Sequence, residues 1–321
     1  MTIRLRVGTR GSRLAVVQTQ IALTALKKFN PSVECEVVTI NTRGDTDKRP
    51  IFTIDEKGIF EKELNDAVRR GSVDFAVHSL KDLPSDLNDE LVLASIPKRA
   101  KPNDVLVNDK KLKLSDLPKG STVGTSSLRR AIQIMRRRPD LNVKPIRGNV
   151  ETRVKKSING EYDAVVLAEA GLVRLGMKDF IVERFNVRGF MPSPGQGAIA
   201  IVCRNNNHQL IRTLKSIEDK KSRAEVDAER AMSSKIEGGC RFPVGAIAVA
   251  NSGGGSKLTL YASVFSADGI RSISLKKSGS IEHPVKLGTM VAEMLMKEDV
   301  MKLSEDWRNA VERWNKNEKH W

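Results

Sequence analysis

The period of the apolar positions changes repeatedly along the chain, and each change marks an element. Arg4 to Gly8 predicts a strand, and Ser12 to Lys28 carries apolar residues at helical spacing. Val33 to Ile40 predicts a second strand, Asn41 to Ile54 a loop, Phe60 to Arg70 a helix, and Val73 to His78 a buried strand. Past the stretch from Pro97 to Pro102 the alternation resumes. Strands are predicted over Asp104 to Val107, Thr122 to Thr125, Asn142 to Ile146 and Tyr162 to Ala168, with helices over Leu128 to Arg138 and Val150 to Ile158. A Pro- and Gly-rich linker, Met191 to Gly197, leads into one more strand, Ala198 to Cys203. Short apolar strands alternating with helices indicate an α/β fold with largely parallel sheets.

After residue 220 the pattern changes. A helix from Lys221 to Ser234 is followed by a Gly-Gly-Cys loop, hairpin-like strands over Val244 to Ala250, Lys257 to Phe265 and Ile270 to Lys276, and two terminal helices. This predicts a small α+β domain; Gly253-Gly254-Gly255 reads as a turn. Within the α/β part there is a weak internal echo. Gly71-Ser-Val-Asp74-Phe-Ala-Val77 is like Gly160-Glu-Tyr-Asp163-Ala-Val-Val166, and Gly8-Thr9-Arg10-Gly11-Ser12 is like Gly124-Thr125-Ser126-Ser127. Two similar lobes would explain both pairs, with chance similarity of turn residues as the alternative.

A length of 321 residues accommodates two or three domains. With 40% hydrophobic and 29% charged residues, the chain falls in the globular class rather than the disordered one. No apolar run approaches the roughly 20 residues that cross a bilayer. Met1 to Val7 enters a strand pattern without a signal-peptide core, so a cytoplasmic location without membrane association is expected. Lys and Arg outnumber Asp and Glu by 55 to 39, a formal charge of +16, which calls for an anionic partner. Nucleic acid is one candidate, but aromatics at 4% leave little for base stacking. Much of the basic charge stands singly beside Gly, Ser and Thr, a distribution that suits small carboxylates; for most individual lysines a solvated surface is explanation enough. Cys35, Cys203 and Cys240 are an odd, scattered set, indicating neither a disulfide framework nor a metal site.

Three segments combine small or hydroxyl residues with Arg ahead of a predicted helix: Thr9 to Ser12, Thr125 to Arg130, and Arg147 to Asn149 followed by Arg153. Helix N-termini offer unpaired N–H groups and a positive dipole end, and guanidinium pairs with carboxylate through two parallel hydrogen bonds. Plain N-capping by Ser12, Ser127 and Asn149 is the commoner reading of any single loop. Phosphate stays open as an alternative ligand, although there is no GxxxxGK[ST] motif. His78 to Pro84 closes a buried-strand pattern, where open α/β sheets place ligand-binding residues. Asp82 beside Lys81 reads either as a surface ion pair or as a carboxylate that manages protons. His78, among apolar neighbours, reads as structural. Glu237-Gly238-Gly239-Cys240 places a thiol on a side-chain-poor loop, where Arg241 and Arg230 would favour the thiolate; a buried structural cysteine is the usual reading.

Taken together, these segments resemble the hydroxymethylbilane synthase (porphobilinogen deaminase) family. The resemblance rests on VGTRGSRLAVVQ (7–18), TRGD (42–45), KGIFEKEL (57–64), DFAVHSLKDLP (74–84), VGTSSLRR (123–130), RRPDL (137–141), RGNVETR (147–153), YDAVVLAEAGLVRLG (162–176), PGQGAIAI (194–201), AERAM (228–232) and EGGC (237–240), in the family's order. It implies two periplasmic-binding-protein-like lobes, 1–97 with 198–215 and 98–197, and an α+β domain, 216–321. It also implies a dipyrromethane cofactor held by a thioether to Cys240. Four porphobilinogen molecules add in turn, each losing ammonia to give an azafulvene-like electrophile, and hydrolysis releases hydroxymethylbilane. By the same resemblance Asp82 is the catalytic carboxylate. Arg10, Ser12, Lys81, Thr125, Ser127, Arg129, Arg130, Arg147 and Arg153 hold acetate and propionate groups, Arg174 and Gln196 are further cleft positions, and Lys57 and Phe60 belong to a covering loop. The implied protein is a monomer with a small-molecule substrate. Two positions depart from the family pattern: Arg241-Phe242 after the cysteine, and Glu169 within an apolar stretch. The rival readings are a non-catalytic anion-binding module, which has no use for Cys240, and a nucleic-acid-binding protein, which predicts affinity falling steeply with salt.

Overall fold

Three sheets organise the chain. The computed structural model describes residues 3–46, 61–84, 86–237, 243–251, 256–266, 268–298 and 300–303. In chain order, β1 (Ile3–Arg10), α1 (Arg13–Phe29), β2 (Val33–Ile40), α2 (Arg43–Thr46), α3 (Lys62–Arg69), β3 (Phe75–Ser79) and β4 (Leu91–Ser95) come first. Then follow β5 (Asp104–Val107), β6 (Thr122–Gly124), α4 (Leu128–Met135), β7 (Asn142–Lys144), α5 (Val150–Ile158), β8 (Ala164–Ala168), α6 (Glu169–Arg174) and β9 (Ile181–Arg184). The chain continues through β10 (Ile199–Arg204), α7 (His208–Lys215), α8 (Lys220–Glu237), β11 (Val244–Ala250), β12 (Lys257–Phe265), β13 (Ser272–Ser280) and α9 (Pro284–Lys297). The described residues up to Lys101, together with Gln196–Arg223, form one compact unit; Pro102–Gly195 and the described residues from Ala224 onward form the other.

In the first unit the strand order is β2-β1-β3-β10-β4. β1 runs parallel to β2 and β3, whereas β10 is antiparallel to both β3 and β4. The expectation of largely parallel sheets is therefore corrected to mixed sheets. A helical crossover imposes parallel pairing, as between β1 and β2 across α1, but β10 is reached by a return of the chain and is free of that constraint. β3 is buried along nearly its whole length, and Phe75 and Val77 pack with Val7, Leu26, Ile201 and Leu214. α1 buries Gln18, Thr19, Ala22 and Leu26, a stripe at helical spacing, against this sheet.

The second sheet has the order β7-β6-β8-β5-β9, with β6 parallel to β7 and β8 and β5 antiparallel to β8 and β9. Matching β6, β7, β8, β5 and β9 to β1, β2, β3, β10 and β4 gives the same order and the same directions. The internal echo therefore has a physical basis. The Asp74 carboxylate accepts from Arg6 N–H at 2.6 Å while its own N–H donates to the Arg6 carbonyl at 2.8 Å. Asp163 repeats this with Thr122 at 2.7 and 2.9 Å. In each lobe one aspartate locks the start of the central strand to its parallel neighbour, at Arg6 in the middle of β1 and at Thr122, the first residue of β6.

β11, β12 and β13 form an antiparallel sheet in that order, with α8 and α9 burying Met232 and Val291 in the same core. The observed class is thus α/β, with two sheets of the same strand order and a small α+β part. α4 serves two cores. Its Ala131 and Ile134 pack on the second sheet with Val123 and Val166, whereas Ile132 enters the core of the third. α9 meets α8 at Gly288, where an added Cβ would lie 2.2 Å from the Ala228 carbonyl oxygen. Helix propensity would favour alanine there by about 1 kcal/mol, but backbone cannot yield as a side-chain tip does. Gly288→Ala is expected to cost a net 1–2 kcal/mol, roughly, read as a lower urea midpoint.

Five elements are not marked by periodicity, among them α2, a single turn inside the stretch from Asn41 expected to be a loop. β9 is a half-exposed edge strand, α6 spans fewer than two turns, and β4 and α7 are short. α4 stops at Met135 rather than Arg138, because Arg138 turns out to pair with Asp140 at 2.7 Å and to donate to the carbonyls of Leu114, Ser115 and Leu117. The third hairpin strand begins two residues later than predicted and runs to Ser280, following the full length of β12.

Candidate active site

In the first lobe β1, β2 and β3 are parallel, so their carboxyl ends share one edge of the sheet. The loops at that edge carry the candidates. Arg10 is the last residue of β1 and is half-buried. Ser12 caps α1, its hydroxyl accepting from Ala15 N–H at 3.3 Å, so the capping reading describes its contact here. After β3 the chain makes a 3₁₀ turn over Leu80–Asp82. Leu80 and Leu83 are buried, Leu80 N–H donates to the Ala198 carbonyl at 3.1 Å, and Leu83 N–H closes onto the Leu80 carbonyl at 3.0 Å. The turn thereby exposes Lys81 and Asp82 side by side. Among the described residues no ion pair joins the two, so the surface-pair reading of Asp82 is not the one observed. Gln18, which the sequence did not single out, braces this corner from α1 through a 2.8 Å hydrogen bond to Ser79. Gln196 is buried, and its carbonyl accepts from Arg99 Nε at 2.9 Å. Gly197, with φ +88°, would place a Cβ 2.5 Å from the Ala100 carbonyl oxygen, so only glycine fits beside Gln196.

In the second lobe the equivalent edge carries the larger cluster. Thr125 is fully buried; its N–H donates to the Lys144 carbonyl at 3.0 Å and its hydroxyl accepts from Ser127 N–H at 3.2 Å. The Ser126 hydroxyl bonds the Ile146 carbonyl. Ser127 is at the N-cap of α4 without a side-chain capping bond. Asn149 caps α5, accepting from Thr152 N–H at 2.8 Å, and Arg153 Nε reaches back to the Gly148 carbonyl at 2.8 Å. Arg147 is half-buried two residues before that cap. Arg174, at the far end of α6, stands away from the strand ends; burial pushes its guanidinium down to about 10.

Arg129 and Arg130 are buried rather than displayed. Both pair with Asp104, the first residue of β5 and itself fully buried. Arg130 Nη2 lies 2.7 Å from Oδ1 and Arg129 Nη1 2.8 Å from Oδ2. Burial alone would raise the Asp104 carboxyl, but the two guanidiniums overcome it and hold the group at about 2. Burial lowers Arg129, against the pull of Asp104 and with the push of Arg130. Two guanidiniums against one carboxylate leave these three groups with a net charge of +1, an arrangement that attracts a further carboxylate.

Several residues of this region carry no sequence signal. Asp104 appears only as a charge opening an apolar run, with partners about 25 positions away. Gln133 holds the linker by accepting from Met191 N–H at 2.7 Å and donating to its carbonyl at 3.1 Å. Glu229, fully buried within the AERAM segment, accepts from Gly195 N–H at 2.7 Å and Ala248 N–H at 2.8 Å. Glu169, the departure within an apolar stretch, is buried against Arg184 in a two-bond pair, both at 2.6 Å. Cys240 and Arg241-Phe242, together with Lys57 and Phe60 of the expected covering loop, lie outside the described residues.

Residues 5–212 match the family model "Porphobilinogen deaminase, dipyromethane cofactor binding domain", and residues 223–297 match "Porphobilinogen deaminase, C-terminal domain". A probable porphobilinogen deaminase of Nitrosopumilus maritimus is 53% identical, covering 97% of this chain and 98% of its own length. The porphobilinogen deaminase of Roseiflexus castenholzii is 45% identical over 91% of this chain and 95% of its own. Among solved structures, the methionine-binding protein MetQ is similar to 66% of this chain and 88% of its own length, at a TM-score of 0.43 and 13% identity.

Proposed function

Because the chain belongs to the porphobilinogen deaminase family, we propose that it is a hydroxymethylbilane synthase. This transferase condenses four porphobilinogen molecules head to tail, with loss of ammonia, on a dipyrromethane linked to Cys240, and frees hydroxymethylbilane by hydrolysis. One observation carries the assignment of residues. Of the described family positions, all but Arg174 stand at a strand's carboxyl end, in the loop that follows it, in the first turns of the next helix, or, for Gln196, beside the strand that enters at that edge.

The donor set suits a ligand with many carboxylates. Each pyrrole unit carries an acetate and a propionate, so a dipyrromethane brings four anionic groups. The second lobe offers the Arg129–Arg130 pair, Arg147, Arg153, the hydroxyls of Thr125 and Ser127, and the N-terminal N–H groups of α4 and α5. When bound, the dipyrromethane supplies a primer with a nucleophilic pyrrole α-carbon. Arg10, Ser12, Arg147 and Arg153 bind the carboxylates of incoming porphobilinogen, and Lys81 binds those of the dipyrromethane. Asp82, carried outward on its turn, accepts the pyrrole N–H in a hydrogen bond and takes or returns a proton at its carboxylate oxygens as positive charge develops. Gln196 and Arg174 are further substrate-binding positions, and Lys57 and Phe60 belong to the covering loop of this reading, outside the described residues.

The working division is 1–97 with 198–215, 98–197, and 216–321. The same reading makes the protein a cytoplasmic monomer whose +16 charge serves carboxylate binding and solubility rather than nucleic acid. No helix among the described residues is long and apolar enough to cross a membrane. Intact-mass measurement of the purified full-length protein is expected to show an adduct equal to one dipyrrole, absent from Cys240→Ala. A protein with the mass of its unmodified residues that still makes linear tetrapyrrole would sink this reading.

A further inference from the structure

The buried charge at the start of α4 has no counterpart in the sister lobe. Asp104, the first residue of β5, pairs in register with Ala168, the last residue of β8. At the matching place Ile199, the first residue of β10, pairs with Ser79, the last of β3. Arg129 and Arg130 are the second and third residues of α4, and those of α1 are Leu14 and Ala15. At these matching places one lobe has Ile199, Leu14 and Ala15, the other Asp104, Arg129 and Arg130. The shared fold therefore does not require charge there. Burying three ionised groups sacrifices hydration that pairing recovers only in part, and well-packed apolar residues commonly replace such clusters without loss of stability. A purely stabilising role accounts poorly for the trio.

Its geometry points to orientation. Oδ1 of Asp104 accepts from Arg130 Nε at 2.9 Å and lies 2.7 Å from its Nη2, while Oδ2 lies 2.8 Å from Arg129 Nη1. Arg130 Nη1 also donates to the Val166 carbonyl at 3.2 Å, and Arg129 Nη1 donates to the Met191 carbonyl. Each guanidinium is thus tied to the shared carboxylate and to a backbone oxygen. The Met191–Pro192 backbone is tied onward to β11, where Ala246 N–H donates to the Pro192 carbonyl at 2.9 Å. β11 is the strand that follows the segment containing Cys240.

We infer that Asp104 is the positioning residue of the carboxylate-binding pair: by dividing its oxygens between Arg129 and Arg130, it aims both guanidiniums at the acetate and propionate groups of bound pyrroles. The inference rests on the hydroxymethylbilane synthase reading. Without that carboxylate the two cations repel one another, and recognition of the acidic side groups suffers before the chemistry does.

The test uses full-length wild type, Asp104→Asn and Asp104→Ala, each followed by intact mass for the fraction carrying dipyrrole, circular dichroism for folding, and steady-state kinetics. In Asp104→Asn the loaded fraction is expected to fall several-fold and KM for porphobilinogen to rise about 10-fold, the scale of one charge-assisted hydrogen bond, with kcat changed much less. Formate at tens of millimolar, roughly, is expected to restore loading and KM in Asp104→Ala, because a free carboxylate can occupy the vacated volume. Chloride at the same ionic strength is expected not to do so. Wild-type loading and KM in Asp104→Asn would overturn the inference. So would an Asp104→Ala protein that formate leaves unfolded or unloaded, since Asp104 would then serve the lobe's stability alone. A wild-type protein without dipyrrole would instead overturn the function proposed above.

Discussion

Asp82→Asn is expected to retain the dipyrrole adduct yet lose turnover by about 10²- to 10⁴-fold, the range of a positioned proton-transfer group. The substitution keeps the side chain's size, and the turn that carries it is held by groups other than Asp82. Leu80 and Leu83 are buried beneath it, and its hydrogen bonds run between the backbones of Leu80, Leu83 and Ala198. No ion pair with Lys81 is lost in the exchange. What disappears is the negative charge and the ability to take a proton, and these matter only when cationic character develops on the pyrrole. Intact mass separates attachment from catalysis, and single-turnover rates read the loss. Near-normal turnover would remove Asp82 from the mechanism. Loss of adduct together with turnover would move its role to primer attachment.

The elements most legible in the sequence are those whose ends are marked by turn residues and whose interiors keep one period. β2, β5, α5, β11 and β12 fall at the predicted bounds. The echo of Gly71-x-x-Asp74 and Gly160-x-x-Asp163 was legible because a turn glycine and a strand-locking aspartate must occupy fixed offsets for the reciprocal bonds to form. Strand direction was not legible, because β10 and β5 have the same apolar composition whichever way they run. Among the candidate residues, the placement of the hydroxyls and arginines at helix starts was legible because local helix-start chemistry is written in neighbouring positions. Asp104, Gln133 and Glu229 were not, since their partners are brought to them by sheet register and helix packing. Glu169 illustrates the same limit: in sequence it interrupts an apolar stretch, whereas in the fold Arg184 of a neighbouring strand neutralises it.

Folding stability of the wild type is expected to fall by about 2 kcal/mol between pH 7 and pH 5, and by about 3 kcal/mol at pH 4, through His78 alone. His78 is in β3 opposite Ala200 of β10, is 6% exposed, and leaves Nε2 without a hydrogen-bond partner. Burial pushes its imidazole down to about 4 from the ordinary 6.5, with the Arg10 guanidinium adding to the effect. The folded protein thus binds the proton less readily than the unfolded chain. The contribution is fully present above the unfolded value near 6.5 and is lost as pH falls toward 4, below which both states are protonated. Asp104 has the same sign for a different reason, its charged form being held by two guanidiniums: it contributes above its unfolded value of 3.8 and loses that contribution as pH falls toward 2, so the two windows meet without overlapping. Urea unfolding of wild type and His78→Gln from pH 7 to pH 4 isolates the imidazole, because other acid-sensitive groups cancel in the difference. The wild type's advantage over the variant should shrink by the stated amounts, and parallel stability curves would refute the assignment. At neutral pH the uncharged His78 adds no positive charge beside Arg10.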